Sequence, residues 1–333
     1  MERLPMKIAV YEVRDDERSA LARVAAEQEL ELVLNSEVPS PLTAGLAEGC
    51  PGVSILGQGV INAELLGLWQ KMGVRFLSTR TIGTDHIDLA AAKRLGIRVC
   101  SASYAPNGVA DYTVMLMLMC LRHYKQALWR GQVNDFSLYG LQGRELRSMT
   151  VGIVGGGRIG TQVARNLSGF GCRILISDRH PRPEIAAIAE YTDFDTILAE
   201  SDIITLHVPF RTSNYHMINS HSIACMKDGV ILINCSRGEL ADNGALIEGI
   251  ESCKIGAIGM DTAEGEEGII HADHRVDILA QRDLFYLRQF RNVVMTQHMA
   301  FYTEEAVENM VETGIVGIAD MAAGRSCDTE IGA

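Results

Sequence analysis

A chain of 333 residues, 47% of them hydrophobic and 22% charged, is long enough for two domains with cores of their own and too apolar for a disordered protein. Its formal net charge of −12 excludes a general nucleic-acid or anionic-membrane binder, because such surfaces are held by clustered Lys and Arg; an anionic substrate would need a local cationic site. The most apolar run, VMLMLMCL at 114–121, falls well short of the roughly 20 residues of a membrane span and reads as the buried centre of a helix.

The opening apolar run is too short for a secretion signal and continues into a charged helical pattern, so no export signal is expected. The first part alternates short apolar runs with helical patterns: KIAVYEV, a helix over 17–28, ELVLN, VSILG, a helix near 62–72, VRFLSTR, a helix near 88–95 and IRVCSAS. Such alternation predicts a parallel sheet covered by helices on both faces. Position 105 opens one long helical stretch through 130, started by Pro106 and Asn107, with a Met-rich middle suited to burial.

From Met149 the alternation resumes: MTVGIVG, a helix over 158–169, CRILISD, a helix near 194–199, DIITLHV, a helix near 220–227, GVILINC, a helix near 243–251, IGAIGMD and NVVMTQH. Six strands at this spacing make a complete doubly wound domain. A last helix, over 303–323, is expected to cross back and finish the first domain. The predicted fold class is therefore α/β, with two doubly wound parallel-sheet domains: residues 1–101 with 300–333, and an inserted domain at 102–299. The eight cysteines, at 50, 100, 120, 172, 225, 235, 253 and 327, form no CxxC pair and read as reduced, buried thiols of a cytoplasmic protein. No repeat of fixed period and no low-complexity linker is present.

Within VGIVGGGRIG, Gly155, Gly157 and Gly160 form GxGxxG between a strand pattern and a helix pattern. The first glycine permits a tight turn, the second lets backbone amides approach a pyrophosphate, and the third allows close helix–strand contact. Asp178 ends the following strand pattern, where a carboxylate binds adenosine ribose hydroxyls and repels a 2′-phosphate. NAD is thus expected over NADP, with Arg179 next door as the feature that pulls the other way.

Ligands of open parallel sheets gather at the carboxyl ends of the strands. There the second domain carries Ser236 and Arg237 after GVILINC, Glu264, Glu266 and Glu267 after IGAIGMD, and His298 after NVVMTQ. Reduction of a 2-keto acid by NADH needs a cation for the substrate carboxylate and carbonyl, a proton donor for the forming alkoxide, and a group that keeps that donor protonated. Arg237, always charged and capable of paired hydrogen bonds, suits the first role; His298 suits the second. A glutamate on the other ring nitrogen favours an imidazolium and fixes its orientation, and Glu266 is taken for that role. Singly, each residue has a plainer reading: a surface ion pair for Arg237, a solvated acidic loop for the glutamates, and a hydrogen-bonded loop histidine for His298.

These residues, in this order, resemble the D-isomer-specific 2-hydroxyacid dehydrogenase family, most closely its D-lactate dehydrogenase and VanH-type branch. The resemblance runs along nearly the whole chain, through STRTIGTDHIDL (78–89), YAPNGVADYT (104–113), VGIVGGGRIG, SDIITLHVPF (201–210), NYHMIN (214–219), INCSRGEL (233–240), GMDTAEGEEG (259–268) and TQHMAFYTEEAV (296–307). It implies a flavodoxin-like substrate domain with an inserted Rossmann NAD domain. It also implies that Arg237, Glu266 and His298 are the catalytic residues, the glutamate lying five positions beyond Asp261, which would contact the nicotinamide amide. Arg158 and Ile159 would belong to the phosphate loop, Val208, Pro209 and Asn214 to the adenine and ribose side, and Cys235 and Ser236 to another cofactor-contacting segment. Ile82 and Gly83 would bind the substrate carboxylate through their amides, with Tyr104 and Phe301 lining the substrate pocket or simply packing in the core.

The implied reaction reduces a small 2-keto acid, pyruvate first, to the D-2-hydroxy acid, in a homodimer without nucleic-acid or membrane partners. A larger keto acid, such as 2-ketoisocaproate, phenylpyruvate or 2-oxoglutarate, is the alternative substrate. The alternative of another class is an NAD-sensing corepressor of the same fold, against which the short tails speak. The chain departs from the family at Glu239, Ala263 and Gln297, where a proline, a bulky residue and a proline are usual. Glu266 separates it from formate dehydrogenases, which have glutamine there, and the short C-terminal end leaves no room for the regulatory domain of many phosphoglycerate dehydrogenases.

Overall fold

Runs of Val, Ile and Leu in the first hundred residues become strands because branched side chains pack well on a pleated surface covered on both faces. The computed structural model describes residues 5–332; the first four, where the argument about an export signal begins, lie outside them. Contacts divide the chain into two units, Met1–Ala105 with Tyr302–Ala333, and Pro106–Phe301.

The first unit begins β1 (Met6–Val10), α1 (Arg18–Glu27), β2 (Leu30–Leu34), β3 (Gly52–Ile55), α2 (Ala63–Lys71), β4 (Phe76–Thr79), α3 (Leu89–Arg94) and β5 (Arg98–Cys100). All pairings are parallel in the order β2-β1-β3-β4-β5, so the chain reverses its direction of travel across the sheet between β1 and β3. Side-chain oxygens of Asn62 and Asp88 accept backbone amides in the first turns of α2 and α3, satisfying donors that a helix start leaves unpaired. One face of the sheet buries Trp69, Leu65, Leu66 and Leu77.

The second unit holds α4 (Asn107–Leu121), α5 (Tyr124–Gln132), β6 (Thr150–Val154), α6 (Arg158–Ser168), β7 (Arg173–Ser177), β8 (Glu190–Tyr191), α7 (Phe194–Glu200), β9 (Ile203–Leu206), α8 (Ser220–Cys225), β10 (Val230–Asn234), α9 (Asn243–Glu251), β11 (Ile255–Met260), α10 (Arg282–Gln289) and β12 (Val293–Met295). Its parallel sheet runs β12-β11-β10-β9-β6-β7-β8, with the topological switch between β6 and β9. The final helix, α11 (Glu304–Ala322), belongs to the first unit, where Val311, Ile315 and Ile318 share a core with Ile8 and Val10 of β1 and Leu21 of α1 on the sheet's other face.

Four sequence expectations are corrected. The long stretch from 105 is two helices, because His123 takes a left-handed conformation (φ +50°) between α4 and α5. The Met-rich run is not buried all round: Leu116 and Met117 lie in the core, whereas Met115 is 38% exposed and shares an open groove of about 790 Å³ with Val114, Leu118, Met119 and Phe170. The sheet has β8 as a seventh strand, two residues without alternation to betray it, and α10 is added in a polar segment that buries only Leu284 and Leu287. The cysteines are all free, but Cys225 and Cys253 are exposed and Cys172, Cys235 and Cys327 are only partly covered. Among the described residues no helix is long and apolar enough to cross a membrane.

Candidate active site

Gly155 leaves the end of β6 with φ +103°, a conformation open to glycine, and a Cβ there would lie 2.6 Å from the His207 carbonyl oxygen. Gly160 packs so closely on the Gly155 carbonyl that a side chain would collide with it, while Gly157, just before α6, has open space where its side chain would be. This is the cradle a dinucleotide pyrophosphate requires: a clear approach to the backbone, beside the amides and positive dipole end of an 11-residue helix opened by Arg158 and Ile159. Asp178 stands just past β7 and braces the loop, its Oδ2 accepting from the Gly156 amide (2.7 Å) and its Oδ1 from the His180 amide (2.7 Å). A carboxylate oxygen has a second acceptor site, so this bracing is compatible with ribose hydroxyls.

The neighbouring loop is closed by local bonds. Asn214 Nδ2 donates to the Pro209 carbonyl (2.9 Å), Asn214 Oδ1 accepts from the Arg211 amide (2.7 Å), and Ser236 Oγ donates to the Val208 carbonyl (2.6 Å). The His207 ring lies 2.9 Å from Thr205 Oγ1, and burial holds it down at about 4, so it stays neutral. Burial, with Asp261 nearby, pushes the Cys235 thiol up to about 12.

Arg237, Glu266 and His298 follow β10, β11 and β12, three strands adjacent in the sheet. Asn234, which the sequence argument missed, shapes the turn that presents Arg237: its Oδ1 accepts from the Ser236 amide (3.0 Å) and its Nδ2 donates to the Arg237 carbonyl (2.8 Å). Of the three acids after β11, Glu266 is the one that reaches His298, with Oε1 2.7 Å from Nδ1, while its Oε2 accepts from the Ala263 amide (2.9 Å). Glu264 turns to a second cluster, 2.9 Å from His216 Nε2 and accepting from the Tyr215 hydroxyl (2.8 Å). Glu267 is exposed.

Nδ1 of His298 is thus committed to the carboxylate, which orients the ring and leaves Nε2 to act elsewhere. His298 itself has φ +53°, and the segment around it is pinned by Asp261, 1% exposed, which accepts from Thr296 Oγ1 (2.6 Å) and the amides of Met299 (2.9 Å) and Ala300 (2.7 Å). Thr296 was not singled out from the sequence. Neither was His271, whose Nε2 donates to the His298 carbonyl (3.1 Å) and whose ring lies 6.3 Å from those of both His298 and Phe301.

Of the residues that depart from the family pattern, Ala263 is buried in the core, Gln297 is exposed, and the Glu239 carbonyl accepts the His216 amide (2.9 Å). In the first unit, Ile82 and Gly83 form the turn after β4, where Thr81 Oγ1 donates to the Gly83 carbonyl (2.7 Å), and Tyr104 is half-buried.

Residues 114–300 match the family described as D-isomer specific 2-hydroxyacid dehydrogenase, NAD binding domain. An aromatic 2-oxoacid reductase from Clostridium sporogenes is 41% identical over 327 residues, 98% of this chain and 99% of that protein. A D-specific alpha-keto acid dehydrogenase from Enterococcus faecalis is 38% identical over 94% of this chain and 96% of its own. Among solved structures, that of D-lactate dehydrogenase with NAD+ from Lactobacillus jensenii superposes with a TM-score of 0.86 at 31% identity, covering 98% of this chain and all of that one. With a glycine cradle shaped for its cofactor, NAD, and relatives that match it end to end, the chain belongs to the D-isomer-specific 2-hydroxyacid dehydrogenase family.

Proposed function

We propose that this dehydrogenase reduces a 2-keto acid larger than pyruvate, phenylpyruvate first, to the D-2-hydroxy acid, with Arg237, Glu266 and His298 as its catalytic residues. The observation that carries the chemistry is the His298 Nδ1–Glu266 Oε1 contact of 2.7 Å at the strand edge that also bears Arg237 and the glycine loop. When bound, NADH supplies the hydride. The chain's own groups do the rest: Arg237 grips carboxylate and carbonyl as a fork, Glu266 holds the imidazole in orientation, and Nε2 of His298 gives its proton to the forming alkoxide. Gly155, Gly157, Arg158, Ile159 and Gly160 would hold the pyrophosphate and Asp178 the ribose.

Two observations support the larger side chain. The 41% identical relative is named for aromatic 2-oxoacids, and Phe301 stands edge-on to His271 (69°), whose ring lies 6.3 Å from that of His298, as an aromatic surface for a substrate ring. Pyruvate is the second reading, favoured by the likeness to D-lactate dehydrogenases. Cytoplasmic location and a homodimer complete the proposal, the latter supported by the exposed apolar face of α4.

NADH consumption with pyruvate, 2-ketoisocaproate, phenylpyruvate and 2-oxoglutarate tests it. We expect phenylpyruvate to exceed pyruvate in kcat/KM by about tenfold or more, the scale of discrimination an apolar pocket achieves. Pyruvate ranked first would remove the larger substrate, and silence with all four, alongside NADH binding, would sink the activity.

A further inference from the structure

Two cysteines far apart in the chain meet within the first unit. Cys100 ends β5, at the edge of the five-stranded sheet, and is fully buried; Cys327 follows α11 and is only partly covered. A strap made of the last residues brings them together. The Ser101 amide donates to the Thr329 carbonyl (3.1 Å) and the Ile331 amide to the Val99 carbonyl (2.8 Å), an antiparallel pairing along the edge of β5 that no other strand covers. Arg98 fastens the same stretch through both carboxylate oxygens of Glu330 (2.7 and 2.6 Å), and the Glu330 amide closes a turn on the Cys327 carbonyl (3.0 Å).

Gly317 shows how closely the two sulfurs approach. It lies inside α11, where glycine is a poor helix former, and a Cβ on it would sit 2.7 Å from Cys100 Sγ and 3.3 Å from Cys327 Sγ. Both sulfurs therefore border the slot left by one absent methyl group, a separation that side-chain rotation can span. The thiols are unequal. Burial first, and then the neighbouring Cys327 sulfur, push the Cys100 thiol well above its ordinary range, so it stays protonated and shielded from reagents in water. Cys327 is within reach of solvent, its sulfur 3.5 Å from the Thr329 hydroxyl.

We propose that Cys100 and Cys327 form a reversible oxidation site, closed to a disulfide by a hydroperoxide such as hydrogen peroxide, which locks the C-terminal strap onto β5. The Cys327 thiolate attacks one peroxide oxygen; the O–O bond breaks, Cys327 becomes a sulfenic acid, and the departing hydroxide takes up a proton to leave as water. The Cys100 sulfur then gives up its proton and displaces the hydroxyl group from the Cys327 sulfur, forming the S–S bond and a second water. The thiol pair loses two electrons and the peroxide gains them; a dithiol reductant reverses the bond by thiol–disulfide exchange. Terminal segments fray first, and a bond that ties this one to the sheet edge also restricts the unfolded chain, through a loop that spans most of the protein.

The test uses the full-length protein with the exposed Cys225 and Cys253 replaced by serine, which removes competing oxidation. After treatment with hydrogen peroxide, unreduced proteolytic peptides are read by mass spectrometry. The expected product joins Cys100 to Cys327 and is two hydrogens lighter than the separate peptides together. Oxidation should raise Tm by about 5 °C or more, and dithiothreitol should return it to the starting value. Cys327→Ser should abolish both the linked peptide and the shift. Cys327 ending as a sulfinic or sulfonic acid beside a free Cys100 thiol overturns the proposal, as does a bridge from either residue to a different cysteine. A correct bridge with an unchanged Tm overturns the locking of the strap. Should the serine-substituted protein fail to fold, peptide mapping of the peroxide-treated wild type gives the same decision. No outcome depends on the keto-acid reduction proposed above.

Discussion

His298 is aimed by two carboxylates with different tasks. Glu266 holds the ring through Nδ1 at 2.7 Å, and Asp261 holds the backbone on the far side of the residue through Thr296, Met299 and Ala300. The left-handed φ of +53° at His298 is the backbone consequence of being tied from both sides. Replacing His298 by Gln removes the proposed proton donor without touching the glycine loop. We expect kcat to fall by about 10²–10⁴, the range for loss of a general acid, while the NADH dissociation constant stays within about twofold. A His298→Gln enzyme retaining more than a tenth of wild-type turnover would remove the histidine from the reaction. The acids at 264, 266 and 267 all sit in one polar loop, and what singled out Glu266 was the resemblance, through its spacing of five from Asp261. In the fold the chain's return through β12 brings His298 to Glu266, while Glu264 meets His216 from the segment between β9 and α8.

At the scale of elements, the β6–α6 junction was legible because its constraint is local. Glycines at 155 and 160 are demanded by φ +103° and by direct helix–strand contact, and both demands leave their mark in sequence. Gly155→Ala would strain the turn and push a methyl group toward the His207 carbonyl. The expected cost is roughly 2–4 kcal/mol of stability, combining backbone strain with overpacking, together with weakened NADH binding. Urea unfolding and a fluorescence titration would check it, and a variant as stable and as tight as the wild type would show that the turn relaxes freely. The α4–α5 break was not legible. His123 sits in an uninterrupted helical pattern, and nothing in LRHYKQ marks the left-handed residue that ends α4. Likewise β8 exists through its pairing with β7, not through a pattern of its own.

For the whole molecule, the exposed side of α4 bears on assembly. Met115, Leu118, Met119 and Phe170 line an open groove that a second copy of the chain would cover in the proposed homodimer. Met115→Glu together with Leu118→Glu should convert a dimer to the 36.4 kDa monomer in sedimentation velocity, with the fold retained by circular dichroism. A wild type that sediments as a monomer at every concentration, or a double variant that stays dimeric, would reject that interface. By itself the sequence determined the α/β class, the order of nearly all strands and helices, the glycine loop and the strand ends at which Arg237, Glu266 and His298 stand. Those follow from periodicity and from backbone conformations that few residues adopt, which are properties of neighbours in the chain. The tertiary structure alone decided that Glu264 turns to His216, that Asp261 pins the histidine segment, that four amides from 56–59 close on Glu12, and which side of the Met-rich helix faces outward. Each of these depends on residues brought together from distant strands, and the geometry of such a meeting is written in no local stretch of sequence.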